Sequence, residues 1–474
     1  MLSSSTETAQ RRLRQAAIVA LSLLIGCSDS DTPPVSPASD VRYAFVVLGE
    51  NGQAIARAIT VASACPLIAI DGGHPVQMTL RAAAATLPAR PTAYDKRNTV
   101  PADFPVTVCD ANVAPGASRA TIGTRVLPLP KAHPQKILLI GDTGCRLKGV
   151  DNVGQYQACN DSVEWPFKAI ADIAAAHAPD VVIHVGDYHY RETPCPSGNI
   201  GCAGSPYGFS WSSWEPDFFA PADALLAAAP WILVRGDHEI CDRGGQGWWR
   251  MLDPRPLTTK QDCNDPADDG IGNYSEPYAV PLDDDMLFVV FDSSVVGDKA
   301  LDAGDAQYRQ YAAQFVRAFA LAAARPHAFF MNHQPILGYN SDETPTALPG
   351  NEALQSVLKP IVPVSLFPQN VEAVLSGHVH MLQIVNFATP QPPIFIPGNG
   401  GTDLVPEFTK YPPGPTPLPG AVVANQLATA RFGFMTMERG SAGWVLTGWS
   451  RRGLPITSCT LFEKKVSCTP FADG

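Results

Sequence analysis

Five apolar runs along this chain each stop abruptly at an acid or a histidine. Lys136 to Ile140 runs into Gly141-Asp142-Thr143-Gly144, and Asp180 to Val185 into Gly186-Asp187-Tyr188-His189-Tyr190. Trp231 to Val234 leads to Gly236-Asp237-His238-Glu239, Phe329 to Met331 to Asn332-His333, and Val371 to Leu375 to Gly377-His378-Val379-His380. Runs of this length read as buried strands. Between the first two, Glu164 to His177 sets Phe167, Ile170, Ala171 and Ala174 at helical spacing, and Pro179 stops it. A helix crossing between two strands favours their parallel pairing. Met286 to Phe291 predicts another strand, Ala220 to Ala229 and Ala306 to Ala324 predict helices, and Ala430 to Trp449 predicts two strands about a Gly-Ser-Ala-Gly turn.

Ahead of this pattern, residues 41–130 hold short β-like runs such as Tyr43 to Leu48 and Pro66 to Ile70, broken by Gly, Pro and Asp. They predict a small β-rich domain, with Pro128 to Pro134 as a hinge. Asp71-Gly-Gly-His74 within it reads as a tight turn carrying a surface histidine. The main unit is expected over 134–457, with 458–474 as a disulfide-stapled tail.

The strand ends give the chemistry. In open α/β sheets, ligands bind beyond the carboxyl ends of the strands. Carboxylate and phenolate oxygens are hard ligands, and imidazole suits zinc, iron, copper or nickel. So many oxygen and nitrogen donors exceed one ion's needs and imply two metals. Two ions about 3.5–4 Å apart can clamp a phosphoryl group and generate hydroxide at neutral pH. His378 and His380, two apart, leave their strand on one face and can each serve one ion.

Composition narrows the partners. The net charge of −11, with no basic run after the leader, argues against nucleic acid. The length of 474 residues suits two globular units. Residues 1–27 have the form of a leader: Arg11, Arg12 and Arg14, then an apolar stretch from Ala16 to Ile25 that is too short to span a bilayer. It ends in Leu24-Ile25-Gly26-Cys27, which resembles a bacterial lipobox. That resemblance implies lipidation of Cys27, a membrane anchor and residence in the cell envelope. Residues 28–40 read as a flexible tether.

Of the 11 cysteines, setting Cys27 aside leaves an even set, which suits an exported, oxidised protein. Neighbour pairing gives Cys65–Cys109, Cys145–Cys159, Cys195–Cys202, Cys241–Cys263 and Cys459–Cys468, although spacing alone does not fix connectivity.

The series GDTG, GDYHY, GDHE, a lone His and GHVH, taken in order, resembles the metallophosphoesterases, and within them the purple acid phosphatase branch. The likeness spans roughly Pro134 to Trp449. It implies two packed mixed β-sheets flanked by helices. It also implies Fe(III) held by Asp142, Asp187, Tyr190 and His380, with Asp187 bridging to a divalent ion (Zn, Fe or Mn) on Asp237, His333 and His378. His238 would stand outside the metals and help bind or protonate the ester. The implied activity is hydrolysis of phosphate monoesters by metal-bound hydroxide. A phosphodiesterase on the same scaffold, or a catalytically silent metal-binding envelope protein, are the alternatives. Two residues depart from the pattern: Asp237 stands where the family has Asn, and His333 follows Phe330-Met331-Asn332 instead of Val-x-x.

Three further side chains are candidates. Arg243 is placed to grip a phosphate bidentately. His184, inside its strand, is either a donor to a metal-bound carboxylate or a satisfied core histidine. Trp211 and Trp214 either line a substrate groove or pack beneath their loop.

Overall fold

In the computed structural model the described residues are 37–91, 99–150, 153–411, 417–441 and 443–471. The leader with Cys27 and most of the tether lie outside them.

Two mixed sheets stack face to face. The larger has eleven strands, and at its centre Lys136–Ile140, Val181–His184 and Trp231–Leu233 run parallel. Four antiparallel strands, Gly433–Gly440 through Lys465–Pro470, extend one side. On the other side Val41–Leu48 pairs parallel to Trp231–Leu233, and Ala54–Thr60, Thr107–Val113 and Thr79–Ala82 follow it. The second sheet has seven strands. Its parallel core is Met286–Val290, His327–Met331, Val371–Leu375 and Ile394–Pro397.

The central strands are apolar on both faces because both faces are covered. Side chains alternate along a strand. Ile137, Leu139 and Ile183 therefore join Phe288, Phe329, Met331 and Leu375 in the core between the sheets. Leu138, Ile140 and Val182 point the other way, onto Phe167, Ile170, Phe218 and Leu225 of the outer helices. Behind the second sheet, Phe330 and Val374 pack on Tyr311, Phe315, Leu354 and Leu358 of helices Ala306–Ala322 and Glu352–Ile361. The result is four layers: helix, sheet, sheet, helix.

The N-terminal region is β-rich, and four of its strands continue the large sheet, which the sequence reading had set apart. A further four-stranded sheet comes from the same region. Arginines on Ala54–Thr60 and Thr79–Ala82 fasten the N-terminal strands of the large sheet to residues 249–255. Arg57 donates to the carbonyls of Met251 and Asp253, and Arg81 to those of Trp249, Arg250 and Arg255. Both also pair with Asp110. At the other end, within the segment expected as a disulfide-stapled tail, Pro455–Phe462 and Lys465–Pro470 form the edge hairpin, with Cys459 directly opposite Cys468.

All five neighbour pairings of cysteine are present as disulfides. Disulfides at this density belong to an oxidising compartment. Among the described residues no helix is long and apolar enough to cross a membrane.

Two helices lack a clear signal in the pattern. Gly245–Met251 begins with glycines of poor helix propensity. Tertiary space demands them: a Cβ on Gly245 would lie 2.8 Å from Cys263 Sγ, and one on Gly247 would fall on the Trp214 indole. Glu352–Ile361 carries Pro360 in its last turn and is capped by Asn351, whose side chain accepts from Leu354 N at 2.9 Å. The helix expected from Ala220 starts earlier, because Trp211–Trp214 and Glu215–Phe219 are also helical. Trp211 and Trp214 are buried there, packing beneath the loop.

Candidate metal centre

The strand ends of both sheets meet at one place. Asp142, Asp187 and Asp237 come from the large sheet, and His333, His378 and His380 from the small one. Their ligand atoms form two groups, each within 4.8 Å: Asp187, Asp237, His333 and His378 in one, Asp142, Asp187 and His380 in the other. Asp187 belongs to both. Its Oδ2 lies 3.2 Å from His333 Nε2 on one side and accepts the Tyr190 hydroxyl at 2.6 Å on the other. Tyr190 Oη is also 2.8 Å from His380 Nε2 and 3.3 Å from Asp142 Oδ1, which adds a phenol to the second group.

The backbone is bent hard to achieve this. Asp142, Asp187 and His378 all have left-handed φ, at 55°, 62° and 70°. Non-glycine residues adopt that region at a cost and collect in functional sites. The preceding glycines matter chiefly for space. A Cβ on Gly236 would fall on Asp187 Oδ1 and one on Gly186 on the His333 ring, while one on Gly377 would come 2.9 Å from Asp142 Oδ2.

The imidazoles are aimed by their second nitrogens. His333 Nδ1 donates to the Val185 carbonyl at 2.8 Å, and His380 Nδ1 to that of Asp403 at 2.8 Å. Such bonds fix the tautomer so that Nε2 stays free for a ligand role. The loop 187–191 is held by two buried carboxylates that take its five successive amides. Glu239 accepts from Asp187 N, Tyr188 N and His189 N at 3.1, 2.9 and 3.2 Å. Asp217 accepts from Tyr190 N at 2.6 Å and Arg191 N at 3.2 Å, and pairs with the Arg191 guanidinium at 2.9 Å.

The electrostatics call for cations. Burial, and the repulsion of Asp187 and Asp237, push Asp142 well above the usual carboxylate range. Burial would lower His333, but Asp187, Asp237 and Asp142 raise it well above its ordinary value. Burial, with Asp187 and Asp142 beside it, likewise lifts the Tyr190 phenol well above 10. Three carboxylates facing one another in a buried cleft stay ionised together only with positive charge between them. The donor set fits two ions: two carboxylates, a phenol and one imidazole in one group, and two imidazoles with two carboxylates in the other. Asp237 and His378 are half-buried while Asp142, Tyr190 and His380 are buried, so the centre opens on the Asp237–His378 side.

The remaining candidates fall as follows. His238 is outside both groups; its Nε2 is 4.0 Å from Asp187 Oδ2 and its Nδ1 3.0 Å from Glu192 Oε1. Arg243 is 3% exposed and does not face the opening. Its guanidinium is committed to Asp237 Oδ2 at 2.7 Å and Glu192 Oε1 at 2.6 Å, in place of the phosphate-gripping position expected of it. His184 meets Thr143 Oγ1 at 3.0 Å and the Gly186 amide at 3.3 Å instead of a carboxylate, and burial holds its pKa well below 6.5. It is the satisfied core histidine.

Glu239, Asp217 and Glu192 were not singled out in the sequence. Glu192 lies five positions after Asp187, a weak local signal, and Asp217 has none.

The calcineurin-like phosphoesterase family model matches residues 135–382. That span includes every candidate ligand and His238. A purple acid phosphatase from yellow lupin (Lupinus luteus) seeds superposes with a TM-score of 0.53 at 14% identity, over 88% of this chain and 73% of that one. PhoD superposes with a TM-score of 0.49 at 10% identity, over 91% and 93%. At 14% identity the likeness to the lupin enzyme is one of fold. No curated protein matches the chain in sequence.

Proposed function

The chain belongs to the calcineurin-like phosphoesterase family, and we propose that within it the chain is an acid-phosphatase-like hydrolase of phosphate monoesters. The observation that carries this reading is the pair of ligand groups sharing Asp187, with a phenol on one side only. Asp142, Asp187, Tyr190 and His380 would hold Fe(III), and Asp187, Asp237, His333 and His378 a divalent ion. When bound, such a centre supplies a nucleophilic oxygen at neutral pH and offsets charge on the phosphoryl group.

The chain's own residues do the rest. Ester phosphate enters where Asp237 and His378 are half-buried. His333 and His380 keep their Nε2 atoms inward through backbone bonds, so the ligand geometry is set before substrate arrives. His238 presents Nε2 beside the centre, from which it delivers a proton to the leaving oxygen as the P–O ester bond breaks. The buried Glu239 and Asp217 clamps keep Asp187 and Tyr190 from shifting. The same reading extends to location: export behind the leader and a lipid on Cys27 agree with the five disulfides.

The test is metal analysis of the purified protein together with turnover of phosphate monoesters and diesters. Two metals per chain and a preference for monoesters are expected. Turnover of diesters alone would replace this reading with a phosphodiesterase, and a loaded protein inert to both would make it a metal-binding protein.

A further inference from the structure

Asp237 gives each oxygen a separate task. Oδ1 faces His333 Nε2 at 3.1 Å and His378 Nδ1 at 3.0 Å, on the metal side. Oδ2 turns away and accepts from Arg243 Nη1 at 2.7 Å. The same Nη1 reaches the Asp237 carbonyl at 3.0 Å, and Arg243 Nε donates to Glu192 Oε1 at 2.6 Å. Both Arg243 and Glu192 are buried, so solvent screens these charges little.

The family pattern has Asn at this position. An amide offers one acceptor oxygen to a cation and turns a donor away, with no net charge. Asp237 with a guanidinium against Oδ2 comes close to that: one free acceptor oxygen, the other occupied, and a negative charge partly offset by a guanidinium that also serves Glu192.

We propose that Arg243 is the counter-ion of Asp237, so that an acid–guanidinium pair does the work of the family's amide at the second metal. Arg243 is thus a positioning and charge-setting residue that leaves the phosphate alone. The inference rests on the reading of Asp237 as a ligand of that metal.

The two kinds of role differ in sign. Loss of a residue that merely orients a ligand loosens the metal, typically by roughly 10- to 100-fold. Loss of a counter-ion uncovers negative charge, so a divalent cation binds tighter and a phosphate dianion weaker. The test is calorimetry: Zn²⁺ into the metal-free full chain, and inorganic phosphate into the loaded chain. Arg243→Gln should tighten Zn²⁺ and weaken phosphate, each by about tenfold or more. Asp237→Asn, which leaves Arg243 uncovered, should do the reverse. The double variant should return most of the way to the parent on both measurements.

Arg243→Lys keeps the charge and should stay within about threefold of the parent; it also serves should the Gln variant fold poorly. Loosened Zn²⁺ in Arg243→Gln, a double variant no nearer the parent than either single one, or a Lys variant that behaves like Gln would each overturn the proposal. Asp237→Ala separates the two layers. If it keeps both metals at parental affinity, the ligand reading falls and the inference with it. If it loses one metal while the Arg243 variants show the wrong sign, only the inference falls.

Discussion

Glu192 Oε1 lies 3.0 Å from His238 Nδ1, and both side chains are buried. Arg243 Nη2 lies 2.5 Å from the same Nδ1, and because a guanidinium only donates, Nδ1 accepts and the ring proton sits on Nε2, beside the centre. His238 also packs against Tyr190, with ring centroids 3.7 Å apart and planes tilted by 39°. His238→Ala should therefore lower kcat by about 10²–10⁴-fold while both metals stay bound. Glu192→Gln keeps a hydrogen-bonding partner and should cost less. Steady-state kinetics with an aryl and an alkyl phosphate, alongside metal analysis, checks this. The alkyl ester, whose leaving oxygen needs the proton more, should suffer the larger loss. Equal losses on both esters would remove His238 as the leaving-group acid.

Tyr190 is the residue that decides for iron. Burial and the neighbouring carboxylates hold its phenol protonated in the metal-free chain. Bound to Fe(III), it is expected to become phenolate and give a visible charge-transfer band. Tyr190→Phe should bleach that band and leave the divalent ion in place, read by absorption and metal content. A colourless, active protein with zinc in both positions would refute the iron assignment and keep the fold.

Asp217 anchors the loop from behind. It is fully buried and serves Tyr190 N, Arg191 N, Cys145 N and the Arg191 guanidinium. Removing one partner of such a pair strands the other charge. Asp217→Ala should lower stability by about 3–5 kcal/mol in denaturant titration, and it should also slacken metal binding through Tyr190.

Far from the metals, Asp110 ties the N-terminal strands to the chain after Gly245–Met251. Burial pushes its carboxyl up, but the guanidiniums of Arg57 and Arg81 pull it further down, below the ordinary value. A depressed carboxylate stabilises the fold fully above its unfolded pKa, near about 3.9. That contribution is lost as pH falls toward the folded value. In Asp110→Asn, stability measured from pH 6 down to 3 should start lower and fall less steeply over the acid limb.

The strands were legible because each central one is apolar on both faces. Lys136–Ile140 and Val371–Leu375 appear with the bounds the pattern predicts. The residues that gather at the centre were legible because each strand meets its polar residue at once, with no intervening loop to scatter the positions. What escaped is held by long-range packing. Gly245–Met251 was hidden by its glycines, which are there because Cys263 and Trp214 leave no room for a Cβ. Asp217 reaches Tyr190 from 27 residues away, in the short helical stretch Glu215–Phe219 that carries no periodic signal. Arg243 reads in the sequence as a phosphate grip. Its engagement depends on Glu192, which arrives from another strand end.

The left-handed backbone at Asp142, Asp187 and His378 sets stability against chemistry at the same three codons. Glycine would relieve each bend, which costs on the order of 1–3 kcal/mol, and would remove buried negative charge at the first two. It would also delete the ligand. A selection that rewards heat resistance alone should therefore drift toward glycine at these positions and arrive at sturdy proteins that bind nothing, whereas one that rewards turnover must tolerate the strain indefinitely.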